Sequence, residues 1–148
     1  MPNTFEKKFV TYCYEQELEV NTNQIEVVKN LEKYFQNNFK SFFSELFSKQ
    51  SLKKGFYLYG DVGVGKTMIL NFFFNQVDEK KIRQHFNEFM LRFHDFVHEQ
   101  KEKNSENVIN QFVQNLKSKA SLIYFDEFQV TNIVDAMILG KLFDQIFK

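Results

Sequence analysis

Residues 60–67 form a run whose residue types and spacing suit phosphate binding. The run, Gly60-Asp-Val-Gly-Val-Gly-Lys-Thr67, fits the Walker A pattern G-x-x-x-x-G-K-[ST] at every position. Its glycines allow the backbone to fold tightly round a polyphosphate, and the helix that opens at Thr67 adds the positive end of its dipole. Lys66 is expected to reach the β- and γ-phosphates, and the Thr67 hydroxyl is expected to bind Mg²⁺. The predicted nucleotide contacts are Gly60, Asp61, Val62, Gly63, Val64, Gly65, Lys66, Thr67 and Met68.

A pair of carboxylates, Asp126 and Glu127, follows the apolar run 121–125, which predicts a buried strand. This arrangement matches a Walker B element. Asp126 is predicted to hold Mg²⁺, and Glu127 to orient and deprotonate the attacking water as a general base. Acids at a strand end are common, but downstream of a Walker A loop the adjacent pair favours ATP hydrolysis over phosphoryl transfer to a second substrate. The catalytic candidates are therefore Lys66 and Glu127, and the metal candidates are Thr67 and Asp126.

Short apolar runs alternate with amphipathic stretches along the chain, and these elements must position the loop and the acids. The alternation predicts an α/β fold, a parallel sheet with flanking helices and the nucleotide at the carboxyl ends of the strands. The predicted strands cover residues 55–59, 84–89 and 121–125. Asn23 is predicted to cap the first helix. The predicted helices cover about 23–35, 67–77, 90–101, 107–116 and 133 to the end, with a further apolar stripe at Phe39, Phe42, Phe43, Leu46 and Phe47.

The composition excludes several classes of protein. The 148 residues, of which 43% are hydrophobic, suit one globular domain. The 19 basic and 19 acidic residues cancel, so no global charge attracts the chain to nucleic acid or to an anionic membrane. The lone Cys13 excludes internal disulfides and suits a reducing compartment. With no signal or transit peptide and no run long enough to span a membrane, we expect a cytoplasmic protein.

Two other features have ordinary explanations. His94 and His98 stand four residues apart on one helical face, a spacing that can bind metal, but no third ligand is suggested nearby. We therefore expect surface or core histidines. The basic pairs 7–8 and 53–54 lack interleaved aromatic residues, so solvated charges explain them better than a nucleic-acid patch.

Three segments carry a resemblance to a known family. They are Gly55–Phe74, His85–Met90 with His94 and His98 following, and Phe125–Leu139 with Leu142 and Phe143. In these segments the chain resembles the ZapE/AFG-like family of AAA+ ATPases. The run Asp-Glu-Phe-Gln-Val-Thr at 126–131, followed by Asp-Ala-Met-Ile-Leu at 135–139, is much more specific than the Walker A loop. Gln24 stands at the family's glutamine, and the resemblance covers nearly the whole chain.

The chain departs from the family pattern at four positions that are peripheral to the phosphate contacts. Asp61 and Val64 stand where the family tends to have glycine and arginine. Asn87 replaces a second histidine, and Asn132 replaces an aspartate.

The resemblance implies an ATPase that uses ATP and Mg²⁺ to remodel a protein partner as a ring homo-oligomer. Bacterial members are cytoplasmic and are associated with cell division through the tubulin-like ring, whereas eukaryotic relatives act in mitochondrial protein quality control. Without a transit peptide the chain is more similar to the bacterial type. By the same resemblance, residues 1–54 form a helical segment that leads into the ATPase core, and 55–148 form the N-terminal part of that core.

The resemblance also implies missing elements. In the family, a sensor strand, a closing strand, the arginine finger and the second sensor all follow the Walker B strand. Here the chain ends at Lys148, and no arginine follows Arg92. We therefore expect a P-loop NTPase fold of the AAA+ type, truncated after the Walker B strand and the following helix. Hydrolysis by this chain alone should be slow, because a finger supplied in trans contributes about 10³- to 10⁵-fold in related enzymes.

Two alternative functions stay open. A catalytically incomplete fragment or pseudo-ATPase would act by binding nucleotide or protein without turnover. A DNA-loading helper ATPase would share the Walker A and Walker B elements, but it would lack the signature at 126–139 and would be expected to show a basic face.

Overall fold

The computed structural model describes residues 4–40, 54–100 and 105–148. The chain divides into two units, Met1–Val77 and Asp78–Lys148. The elements of the first unit are α1 (Phe5–Glu15), α2 (Thr22–Phe35), a π-helical turn (Gln36–Lys40) and α3 (Lys66–Gln76). Those of the second are β1 (Lys81–His85), α4 (Phe86–Glu99), α5 (Ser105–Lys119), β2 (Leu122–Asp126) and α6 (Ile133–Ile146). No helix within the described ranges has the length and apolar character needed to cross a membrane.

Helices α1, α2 and α3 of the first unit pack round a largely aromatic core. Each helix contributes side chains spaced three or four residues apart, which places them on one face. The buried residues are Phe5, Phe9, Cys13, Val28, Leu31, Phe35, Ile69, Phe72 and Phe73. The rings of Phe9 and Phe72 meet edge to face, with centroids 5.1 Å apart. The helix that follows the Walker A loop is thus anchored by the two N-terminal helices.

The second unit combines a two-stranded parallel sheet with three helices. Strand β1 pairs with β2 so that Arg83 lies opposite Tyr124 and His85 lies opposite Asp126. The helices cover the sheet with a contiguous apolar core: Phe86, Phe89, Met90 and Phe93 of α4, Val113 and Leu116 of α5, and Leu139 and Leu142 of α6. This unit confirms the predicted α/β class, with parallel strands and flanking helices.

Two predicted strands are wrong. Residues 54–60 carry neither helix nor strand. A strand needs hydrogen bonds to a neighbour, and among the described residues the sheet contains β1 and β2 alone. The strand predicted over 84–89 lies earlier and ends at His85. Helix α4 begins at Phe86 because an apolar stripe at helical spacing then buries its large side chains, whereas a strand would turn alternate residues outward.

Other boundaries differ by a few residues. The Walker B strand is confirmed, but Asp126 is its last residue and does not follow it. Helix α5 extends beyond the predicted 107–116 at both ends. The first-unit helix α2 is capped by the side chain of Asn21, two residues before the predicted Asn23. In the predicted stripe, Phe39 lies in the π-helical turn, whereas Phe42, Phe43, Leu46 and Phe47 lie outside the described residues.

Asn132→Ala is expected to lower the free energy of unfolding by about 1 kcal/mol, because it removes the N-cap of α6. The Asn132 side-chain oxygen accepts a hydrogen bond from the Asp135 amide at 2.7 Å. Urea denaturation followed by circular dichroism measures the change. The control is Asn110→Ala, on the exposed surface within α5. This control should be neutral or slightly stabilising because alanine is the better helix former. Equal effects of the two substitutions would contradict a capping role.

Candidate nucleotide site

The Walker A loop turns through glycines in backbone conformations that other residues avoid. Gly63 and Gly65 have φ values of 83° and 86°, within the left-handed region. At Gly65 space is limiting as well, since an added Cβ would lie 2.8 Å from Nε2 of Gln24. A side chain at Gly65 would therefore strain the backbone and would also require the Gln24 side chain to shift. The tight turn predicted from the glycine spacing is present.

Lys66 folds back over the beginning of the loop. Its Nζ donates hydrogen bonds to the carbonyl oxygens of Gly60, at 2.8 Å, and of Asp61. The ammonium group is thus held by weak neutral acceptors that a phosphate oxygen can replace. Helix α3 begins at Lys66, and its N-cap residue, Gly65, offers no side-chain oxygen to the first amides. Such an uncapped N-terminus after a glycine loop suits an anion, because the free N–H groups of the first turn and the positive end of the helix dipole both favour negative charge there.

Gln24 of α2 supports the loop from the side. Its Nε2 donates to the carbonyl oxygen of Val64 at 3.2 Å. Its Oε1 is buried and has no hydrogen-bond partner among the described residues. A second contact from α2 lies before the loop, where the Tyr34 hydroxyl donates to the carbonyl oxygen of Lys54 at 3.1 Å. Helix α2 thus forms hydrogen bonds to the chain on both sides of residues 55–63.

Asp126 ends β2 and is paired with an arginine of the neighbouring strand. Arg83 Nε donates to Asp126 Oδ2 at 2.6 Å, and Nη2 donates to Oδ1 at 3.3 Å. Partial burial by itself would raise the pKa of Asp126, but the hydrogen bonds from Arg83 and Tyr124 outweigh it and hold this pKa below its usual range. Burial, followed by the hydrogen bond to Asp126, raises the pKa of Tyr124. Asp126 is therefore an anion at neutral pH.

Glu127 stands in different surroundings from its neighbour. Its backbone adopts a left-handed conformation, with φ of 51°. A residue other than glycine there costs of order 1 kcal/mol, and strain of this kind is concentrated at functional sites. The side chain is exposed, whereas Asp126 is half-buried and paired. The two carboxylates are thus separated in environment as well as in predicted role.

Comparison with known proteins identifies the family. The model of the AFG1-like ATPases matches residues 7–148. The chain belongs to the AFG1-like ATPase family. This membership confirms the resemblance that the sequence shows to a family of ATPases.

Two relatives show the extent of the similarity. Lactation elevated protein 1 homolog B of Danio rerio is 40% identical over 111 residues, which cover 68% of this chain and 22% of the relative. Cell division protein ZapE of Escherichia coli strain K12 is 35% identical over 101 residues, which cover 68% of this chain and 26% of the relative. The chain thus spans about a quarter of the length of these AFG1-like relatives. No solved structure gives a significant match.

The oxygen donors of the family's motifs suit the predicted cofactor. The Thr67 hydroxyl and the Asp126 carboxylate are ligands of the hard type that Mg²⁺ takes. Thr67 is exposed in the first turn of α3, within the first unit, and Asp126 belongs to the second. The glycine loop and the uncapped amides of α3 suit a polyphosphate. Each of these groups, taken within its own unit, therefore has the chemistry that Mg²⁺ or a phosphate requires.

His94, one of the two histidines of α4, contacts an acid of α6. His94 Nε2 lies 3.1 Å from Asp135 Oδ1, a contact that joins α4 to α6. Within the described ranges no group of three His, Cys, Asp or Glu residues could hold a metal ion.

Cys13 is fully buried, and burial raises the pKa of its thiol, which disfavours the reactive thiolate.

Arg83 and Gln24 are the residues whose contacts the sequence reasoning missed. The predicted strand over 84–89 left Arg83 outside the sheet and so hid its alignment with Tyr124. A signal was available, since an arginine two residues before a strand end can reach an acid at the end of a parallel neighbour. The sequence indicates Gln24 through the family resemblance alone, because no spacing rule links it to Val64, 40 residues later.

Proposed function

We propose that the chain binds ATP with Mg²⁺ through residues 60–68 and hydrolyses it as a member of the AFG1-like ATPases. The observation that carries this proposal is the loop itself. Glycines in left-handed conformations lead into an uncapped helix, and Lys66 Nζ rests on the carbonyl oxygen of Gly60 at 2.8 Å. A loop of this kind presents backbone amides and one mobile cation to a phosphate chain.

Each candidate residue takes a separate role in this proposal. Lys66 leaves the loop carbonyls for the β- and γ-phosphate oxygens, and the loop residues from Gly60 to Met68 surround the phosphates. Thr67 and Asp126 would each be a ligand of Mg²⁺, which would supply positive charge to neutralise the phosphates. Glu127 accepts the proton of the attacking water, a role that suits an exposed carboxylate.

The biological role is proposed from the relatives. The Escherichia coli relative is named a cell division protein. By that likeness, this chain would couple ATP hydrolysis to remodelling of a protein partner during division in the cytoplasm, with the tubulin-like ring as the proposed partner. It would act as a ring homo-oligomer, as the resemblance to AAA+ proteins implies.

Equilibrium binding and phosphate release together test the catalytic proposal. The chain should bind a fluorescent ATP analogue more tightly with Mg²⁺ than with EDTA, and it should release phosphate from ATP. Binding without any phosphate release would favour the pseudo-ATPase alternative. A chain that binds no nucleotide under either condition would contradict the proposed function.

Asp126→Asn is expected to raise the half-saturating free Mg²⁺ concentration for nucleotide binding by at least about ten-fold. The amide keeps the shape of the carboxylate but loses its charge, and even outer partners of metal ligands change metal affinity by about 10- to 100-fold. Titration of Mg²⁺ at a fixed concentration of fluorescent ATP analogue measures the change. Asp144→Asn, which removes the same charge from the exposed surface of α6, is the matched control and should leave the titration unchanged. An identical titration for the two variants would exclude Asp126 as a metal ligand.

A further inference from the structure

Arg83 donates two hydrogen bonds to the Asp126 carboxylate. Nε lies 2.6 Å from Oδ2, and Nη2 lies 3.3 Å from Oδ1. The register of the sheet sets this pair, because Arg83 lies opposite Tyr124 and Asp126 follows two residues later on the same face. The guanidinium carbon also lies 5.0 Å from the centre of the Tyr124 ring, within the range of a cation–π contact. The contact with the Tyr124 ring and the two hydrogen bonds to Asp126 thus hold the Arg83 side chain in place.

This pairing competes with metal binding. The planar fork engages both carboxylate oxygens and cancels their charge, whereas Mg²⁺ demands a near-octahedral shell of oxygens at about 2.1 Å. A guanidinium at hydrogen-bond distance from the same oxygens also repels a divalent cation. Asp126 therefore has to loosen its contact with Arg83 before it can serve as a full metal ligand.

We propose that Arg83 is a positioning residue of the ATPase site, which holds Asp126 until nucleotide and Mg²⁺ bind and then releases it. Arg83 thereby sets the Mg²⁺ concentration at which the site loads. This inference rests on the metal role proposed above for Asp126.

The direction in which the required Mg²⁺ concentration changes when Arg83 is removed distinguishes this role from a purely structural one. If Arg83 competes with the cation, its removal lets Asp126 accept Mg²⁺ at a lower concentration. If Arg83 merely supports the strand end, its removal frees Asp126 to move and raises the concentration required. The pair is partly open to solvent, with 39% of the Arg83 side chain and 13% of the Asp126 side chain exposed. Ion pairs of this kind shift an equilibrium by about five-fold at most, so the expected change is about three- to five-fold.

The test is a Mg²⁺ titration of nucleotide binding by Arg83 variants of the whole chain. The probe is an N-methylanthraniloyl derivative of ATP at fixed concentration, followed by fluorescence anisotropy as free Mg²⁺ rises. Arg83→Gln removes the charge and the fork, and Arg83→Lys keeps the charge without the fork. Lys119→Gln, at an exposed position of α5, removes one positive charge elsewhere in the same unit. Circular dichroism confirms that each variant is folded, and Arg83→Lys carries the test if Arg83→Gln does not fold.

We expect the half-saturating Mg²⁺ concentration to fall about three- to five-fold in Arg83→Gln, to fall less in Arg83→Lys and to stay unchanged in Lys119→Gln. The positioning role would be overturned if the half-saturating Mg²⁺ concentration were unchanged or higher in the Arg83 variants. If the same concentration rose in Asp126→Asn, the metal role of Asp126 would remain intact. If Asp126→Asn itself had no effect, the proposed metal role would fail, and the inference about Arg83 would fail with it.

Discussion

Glu127→Gln is expected to lower the rate of ATP hydrolysis by about 10²- to 10⁴-fold while nucleotide affinity stays within about two-fold of the parent chain. The amide preserves the size of the side chain but cannot accept the proton of the attacking water. It also tolerates the left-handed backbone at this position no worse than glutamate does, so the strain at φ of 51° is unchanged. The effect should therefore be confined to the chemical step.

Two measurements separate binding from chemistry for this variant. Single-turnover phosphate release gives the rate of hydrolysis, and anisotropy of the fluorescent ATP analogue gives the affinity. The control, Glu99→Gln, removes the same charge from the exposed end of α4 and should hydrolyse ATP at the parental rate. Hydrolysis at that rate by Glu127→Gln would mean that another group is the base.

Lys66→Ala is expected to weaken binding of ATP–Mg²⁺ by about 10- to 100-fold, because hydrogen bonds from a charged group contribute about 1.5–3 kcal/mol. Lys66 Nζ lies 2.8 Å from the carbonyl oxygen of Gly60 in the loop. Its loss removes a phosphate ligand and also a contact that draws the two ends of the loop together. Both consequences act in the same direction on affinity.

Isothermal titration calorimetry with ATP–Mg²⁺ tests this prediction against a matched lysine. Lys33→Ala removes an equal charge from the exposed face of α2, in the same unit, and should bind ATP as the parent does. Lys66→Arg should rescue little, since a planar guanidinium does not reproduce the compact charge of an ammonium. If Lys66→Ala bound ATP normally, residues 60–67 would not be acting as a phosphate cradle.

The loop and the acidic pair could be proposed as site residues from the sequence because each is a contiguous run of residues. Gly63 and Gly65 permit left-handed turns wherever the fold places them, and Lys66 and Thr67 follow directly in the first turn of a helix. Likewise, an apolar run that ends in Asp126 specifies a strand with an acid at its tip. Local spacing therefore determined the residues that carry the proposed reaction.

Helix and strand boundaries were predicted less well, because burial in the folded unit decides whether an apolar segment forms a helix or a strand. The sequence predicts a strand over 84–89, but the core of the second unit takes Phe86 and Phe89 as part of one face of α4. Residues 55–59 have the composition of a strand, yet the described sheet offers them no partner. Strand formation depends on a neighbouring strand that is often far away in the sequence, so composition by itself could not decide it.

The sequence by itself determined the family, the glycine turn within residues 60–67 and the acid that ends β2. Only the tertiary structure decided what surrounds them. Gln24 reaches Val64 across 40 residues, and Arg83 reaches Asp126 across 43. Neither contact follows from spacing. The first depends on how α2 packs against α3, and the second depends on the register in which β1 pairs with β2. Register in particular is set by the burial of whole strand faces, and here it aligns Arg83 with the face that carries Asp126.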